Sequence, residues 1–399
     1  MNKRKIKTLS LLLYLCIWGK FSMGQTTPKV ADVMSPEKIQ EGLASHDQAL
    51  FIKQHWIRDP YIILGPDDYY YLTGTTPNPG DSREQTDPYN TGLGDTSIVG
   101  NKVQIWKSMD LINWEYMGTP YTLEDSYRVK NQLEPTTENR DTKIMNVVWA
   151  PEIHWVEGKW ALVHCPKVSS SLTFSADKEV SGPWVHPLGE VFSSKHDPSL
   201  FKDEDGTWYA VWSNTRIAKI NEDFTGFATE PVYIPPSSER PDPKNPSKMI
   251  NRIGHEGATI RKIGEKYVSF GTAWSTDLGR KGSYNLYYCT SNNIMGPYGP
   301  RKFAGRFLGH GTPFQTKDGK WWCTAFFNGN VPPVSREGVE SRDLSETAQT
   351  INQRGTTIVP LEVRVLEDGD IFIRAIDPAY RNPGPDENQR FQQLDTHNN

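Results

Sequence analysis

The chain is short of several things, and each shortage removes a class of protein. Hydrophobic residues are only 36% of the 399, and the apolar stretch Leu9 to Trp18 is too short to span a bilayer, which excludes a polytopic membrane protein. Charge is nearly balanced, 44 basic against 48 acidic residues for a net charge of -4. That leaves no basic excess for a nucleic-acid partner, whose phosphates need a concentrated cationic face. Cysteine is scarce, with four residues, and no Cys/His spacing resembles a zinc site. Cys16 lies inside the apolar N-terminal stretch, and the remaining Cys165, Cys289 and Cys323 are odd in number. Each sits in an apolar run, so they read as small buried hydrophobes rather than a disulfide framework.

Aromatic residues, by contrast, are plentiful: 13 Trp, 17 Tyr and 15 Phe, with 32 Gly and 29 Pro. Aromatic strands cut by Gly/Pro turns suit an all-β fold. The N-terminus reads as an export signal. Lys3, Arg4, Lys5 and Lys7 precede the apolar stretch, and Ser22 and Gly24 offer small residues for cleavage before Gln25. Leu15 before Cys16 argues against a lipid-anchored cysteine. The expectation is a signal peptide over 1–24 and a periplasmic or secreted chain with no membrane attachment after cleavage.

One unit then recurs five times: a short apolar strand opened by a polar residue, a tight turn, and an aromatic strand. The copies open at Arg58-Asp59-Pro60, Trp149-Ala150-Pro151-Glu152, His196-Asp197-Pro198, His255-Glu256-Gly257 and Gly309-His310-Gly311. A second signature trails three copies, at Ser108 to Trp114, Gly182-Pro183-Trp184 and Gly296-Pro297-Tyr298, and reads as the outer edge of a blade. The spacing leaves room for four strands per copy, which predicts an all-β, single-domain, five-bladed β-propeller over 55–378. An N-terminal extension (25–54) carries a short helix within 36–49. Two strands around Asp368-Gly369 complete or close the last blade, and a polar, disordered tail follows over 379–399.

Loop lengths point to one face. Every first-to-second turn is tight, whereas the long stretches at 77–101, 235–252, 273–283 and 328–355 fall where the inner strands begin. That face is expected to hold the site, walled into a pocket. Asp59, Asp197 and Glu256 open three inner strands in register and should converge on the axis. Carboxylates sharing one pocket cannot share one pKa, and a raised and a lowered carboxylate are what glycosidic-bond cleavage requires. Arg58, Arg252 and Arg280 lie near this face and could bind hydroxyl or carboxylate groups. The paired aromatics Tyr69-Tyr70-Tyr71 and Trp321-Trp322 are expected to pack between blades.

These motifs, in this order, resemble glycoside hydrolase family 43 over about residues 55–330. The resemblance implies a five-bladed propeller and inverting hydrolysis that requires no cofactor. It implies Asp59 as general base, Glu256 as general acid and Asp197 as modulator of the acid's pKa. Trp149 would stack on the sugar, and His310 would lie near the axis, where some members place a water-ligated, structural calcium. His196 and His255 depart from that pattern. Gly-His-Glu at 254–256 is similar to family 117, which cleaves 3,6-anhydro-L-galactose from agar oligosaccharides, and on that resemblance His255 is the acid. The two histidines also raise the idea of an acidic or sulfated sugar. The expected partner is an oligosaccharide, and the expected activity is removal of a terminal sugar from plant or algal polysaccharide fragments. A non-catalytic sugar-binding propeller is the rival, which predicts a missing carboxylate.

Overall fold

The computed structural model of the chain describes residues 34–86, 97–126, 147–166, 169–189, 191–325 and 355–395. The proposed signal peptide, the start of the N-terminal extension, the stretch 328–354 and the last four residues lie outside these. Among the described residues, five antiparallel sheets are arranged as the blades of a propeller. Their innermost strands are Arg58–Leu64, Val148–Val156, Ser199–Lys202, Glu256–Ile263 and Pro313–Gln315. Each is joined to a second strand by a tight turn. In blade two, Glu157 and Gly158 both take positive φ (47° and 82°), as a two-residue hairpin turn needs.

Second strands are buried on both faces because each blade is packed between two others. Trp160 to Cys165 and Tyr267 to Trp274 read as near-continuous apolar runs for this reason. The paired aromatics alternate between neighbours. Tyr70 joins the cluster between blades five and one, with Trp322, Phe314 and Ile358, while Tyr71 joins the one between blades one and two.

Both chain ends differ from their reading in the sequence. The helix forms at Pro36–Ser45, started by Ser35 and Pro36, but the extension does not stop there. Leu50–Gln54 pairs with Gly355–Val365 as the outermost strand of blade five, opposite Leu50↔Ile358 and Gln54↔Gly355. The ring is thus closed by the N-terminal strand. The strands around Gly369 form as expected, Ile371–Ala375 pairing with the far half of Gly355–Val365. The tail is not free: from Pro378 to residue 395 it is docked, and Asp386 is fully buried. Among the described residues no helix is long and apolar enough to cross a membrane.

The closing strand hangs on Leu50, which is fully buried against Gly42 of the helix and the blade five to one cluster. Leu50→Ala should lower stability by about 2–5 kcal/mol in chemical denaturation. A loss within error of zero would mean that the strand does not close the ring.

Candidate active site

All five inner strands enter the axis in the same way. Asp59, Ala150, Asp197, Gly257 and His310 each take positive φ (48°, 42°, 53°, 68° and 52°). In blades one, two and four the register slips at this point, between Arg58 and Tyr61, Trp149 and Glu152, and Glu256 and Thr259. Each slip is a bulge that re-aims a side chain. The residue one step earlier forms a second layer: Arg58, Trp149, His196, Glu256 and Gly309. Glu256 is therefore not in register with the two aspartates; Gly257 holds their position. The residue before that points the other way. Ile57, Val148 and Leu308 enter the inter-blade cores. His255 is their counterpart, and its strongest electrostatic neighbours are Arg252, Asp277, Arg301 and Arg240.

Asp59 accepts a hydrogen bond from Thr75 Oγ1 at 2.8 Å, and its other oxygen lies 3.3 Å from His310 Nδ1. Asp197 is buried. Its oxygens meet the Gly257 N–H at 2.8 Å and the Cys165 thiol at 3.4 Å, while its own N–H donates to Cys165 Sγ at 3.0 Å. His310 Nε2 stands 4.0 Å from Asp197, so the imidazole lies between the two aspartates. One atom each of His196, Asp197 and Glu256 lie within 4.8 Å of one another. Glu256 Oε1 accepts from the Tyr284 hydroxyl at 2.5 Å. His196 Nε2 is 3.1 Å from the His255 carbonyl oxygen.

Electrostatics split these groups. Burial and the nearby Asp197 charge raise the pKa of Glu256, against the opposing pull of His310 and Tyr284. Burial would also raise Asp197, but His310, His196, the Gly257 N–H and Cys165 outweigh it, and its pKa is lowered. Burial alone would lower His310; Asp59, Asp197 and Glu256 reverse this and raise it to about 9. His255 moves the other way, to about 4, through burial and Arg252. At the axis His310 is thus held towards the imidazolium form, whereas His255, directed away from the axis, is held towards the neutral imidazole. The His310 ring lies between the two carboxylates, with Nδ1 towards Asp59 and Nε2 towards Asp197.

The remaining expected residues lie around this centre. Arg58 is buried, and its charge is felt by Asp59, Arg280 and Glu256. Trp149 is partly buried against Trp56, Ile98 and Val99. Arg280 sits at positive φ (55°) on the loop after Trp274. Sequence reasoning missed Thr75, Cys165 and Tyr284. Cys165 reads as a buried hydrophobe, and it is fully buried, but its sulfur also ties down Asp197. Tyr284 carried no signal beyond being an aromatic residue in a strand. The Gly309-His310-Gly311 motif does carry one. A Cβ on Gly309 would lie 1.9 Å from the Tyr284 ring, and one on Gly311 would lie 2.2 Å from the Thr324 carbonyl oxygen.

Residues 52–340 match the family described as Glycosyl hydrolases family 43. A xylan 1,3-beta-xylosidase of Vibrio sp is 24% identical over 299 residues, covering 69% of this chain and 48% of the relative. A putative beta-xylosidase of Escherichia coli K12 is 25% identical over 274 residues, covering 63% and 47%. The chain spans about half the length of these curated relatives. The crystal structure of an endo-1,4-beta-xylanase from Bacteroides thetaiotaomicron superposes with a TM-score of 0.51 at 20% identity, covering 82% of this chain and 97% of that one; the likeness is one of fold.

The charge on His310 has a consequence for stability. A folded-state pKa raised above the ordinary 6.5 gives stabilisation that is complete below pH 6.5 and lost as pH rises through about 9. The stability advantage of wild type over His310→Gln should shrink across that window by on the order of 3 kcal/mol, read by denaturation at each pH. Parallel curves would show that the ring titrates normally.

Proposed function

The chain belongs to glycosyl hydrolase family 43, and from that premise we propose an exo-acting glycosidase that removes a terminal sugar from plant or algal polysaccharide fragments with inversion. The observation that carries the reading is the split between Glu256, raised, and Asp197, lowered, in one pocket. In this scheme the Asp59 carboxylate takes a proton from a water whose oxygen attacks the anomeric carbon. Glu256 gives its proton to the glycosidic oxygen as the carbon–oxygen bond breaks. Asp59 ends protonated and Glu256 ionised, and solvent exchange resets both. Asp197 stays ionised beside Glu256 and holds its proton on. Acid and base are both side chains of this chain, so no cofactor enters the scheme.

Arg58 and Arg280 bind sugar hydroxyls in this reading, His196 lines the rim, and Trp149 offers its face to the sugar. The two relatives described above are named as xylosidases and others as a xylosidase/arabinosidase and an endo-arabinanase, which makes xylo- and arabino-oligosaccharides the first substrates to test. Burial and Arg252 hold the His255 pKa down, to about 4, which favours Glu256 over His255 as the acid. It also removes one of the two cations behind the idea of an acidic sugar. The basic-then-apolar N-terminus supports action outside the cytoplasm.

The test is product NMR on xylan, arabinan, galactan, agar and carrageenan oligosaccharides. Release of one monosaccharide with inverted configuration is expected. Asp59→Asn and Glu256→Gln should each lower kcat by about 10²–10⁴-fold. Activity should fall on the alkaline side as Glu256 loses its proton, with a midpoint above the ordinary glutamate value. Retained configuration, or wild-type turnover in either variant, would sink the scheme.

A further inference from the structure

Outside the carboxylate cluster, Asp386 in the C-terminal segment is a charged group that accepts four hydrogen bonds. It is fully buried. One oxygen accepts from Ser275 Oγ at 2.5 Å, from the Ser283 N–H at 2.8 Å and from Ser283 Oγ at 2.7 Å; the other accepts from Arg306 at 2.8 Å. Ser275 and Ser283 are the two ends of the loop that carries Arg280, and they bond to each other across its neck, Ser275 N–H to the Ser283 carbonyl at 2.8 Å. The Asn388 N–H donates to the Ser275 carbonyl at 2.8 Å. Glu387 continues the seam, accepting from the Tyr287 hydroxyl at 2.6 Å.

The chain neighbours of this neck are Trp274 and Tyr284. Their rings stack at 4.6 Å and 22°, and the Tyr284 hydroxyl is the donor to Glu256. We propose that the C-terminal segment around Asp386 positions the general acid: it locks the Ser275–Ser283 neck, the neck fixes the Trp274–Tyr284 stack, and the stack holds the Tyr284 hydroxyl on Glu256. The residue acts through others and touches no substrate, so it is a positioning residue. The proposal rests on Glu256 being the acid.

The experiment uses the full chain with Asp386→Ala, Tyr284→Phe and the double variant. Activity is read on 4-nitrophenyl β-D-xyloside and on whichever oligosaccharide wild type cleaves. The Glu256 titration is followed by carboxyl carbon NMR, assigned with Glu256→Gln. Asp386→Ala should lower kcat by about tenfold or more. It should also shift the Glu256 midpoint in the same direction as Tyr284→Phe, by about half a pH unit or more. The double variant should go no further than Tyr284→Phe alone, since both changes cut one path. If Asp386→Ala does not fold, Ser283→Ala removes one of the same contacts and takes its place. Lower thermal stability with an unmoved Glu256 midpoint, or additive effects, would overturn the proposal. Should wild type cleave nothing offered, the hydrolase reading is what fails, and the NMR titration still decides whether Asp386 governs Glu256.

Discussion

The left-handed residue at the head of each inner strand is the constraint on which the site depends. Away from glycine that conformation costs about 1–2 kcal/mol, and four of the five positions here are not glycine. Neighbouring blades hold the chain in place. Thr75 of blade one accepts from the Ala150 N–H of blade two at 2.7 Å. Cys165 of blade two accepts from Asp197 of blade three, and Asp197 accepts from Gly257 of blade four. Thr324 of blade five donates to the Pro60 carbonyl of blade one at 2.5 Å. The bonds that join blade to blade near the axis are therefore the bonds that aim the carboxylates. Ring closure and site geometry cannot be varied separately.

That coupling explains how Asp197 and Glu256, on separate blades, are pushed towards different protonation states. Burial pushes every carboxylate towards its neutral form. Asp197 escapes because two histidines, a backbone N–H and a thiol surround it. Glu256 has the Tyr284 hydroxyl as its nearest donor and feels Asp197 and Asp59 as like charges. One step along the strand separates a bulge residue from its predecessor, and that step decides which environment a carboxylate meets. His310, at the same left-handed position in blade five, places a positive charge between Asp59 and Asp197.

Much of this was legible in the sequence, and what was not shares one physical feature. Strand pairs joined by tight turns leave a local pattern, so the five copies and the Asp59, Asp197, Glu256 and His310 positions could be read directly. The one-residue offset of Glu256 could not, because a bulge changes register without changing composition. Leu50–Gln54 pairs with a partner some three hundred residues away, and nothing local marks it as the closing strand. Cys165 and Tyr284 look like core residues and are buried as core residues. Their polar atoms face the axis, a fact of orientation that a residue list does not carry.

The C-terminal segment is the sharpest case, because its polarity misled. A run rich in Asp, Glu, Asn and Gln reads as solvated when no partner is known. Here the partners are serines, a tyrosine and arginines displayed by blade four, and beside the packing of Phe391 on Tyr287 and Phe303 the seam is held by polar pairs: Asp386 with Ser275, Ser283 and Arg306, and Arg301 with Gln389 at 3.1 Å. An apolar seam would bury surface as well, but it would tolerate sliding. Hydrogen bonds to a buried carboxylate have fixed lengths and directions, and leaving one unmade in a dry setting is costly. A seam of this kind fixes position more than it adds stability, and position is what the neighbouring Trp274–Tyr284 pair requires. The polarity that hid the segment in the sequence is thus the property that lets it serve as a register mark for blade four.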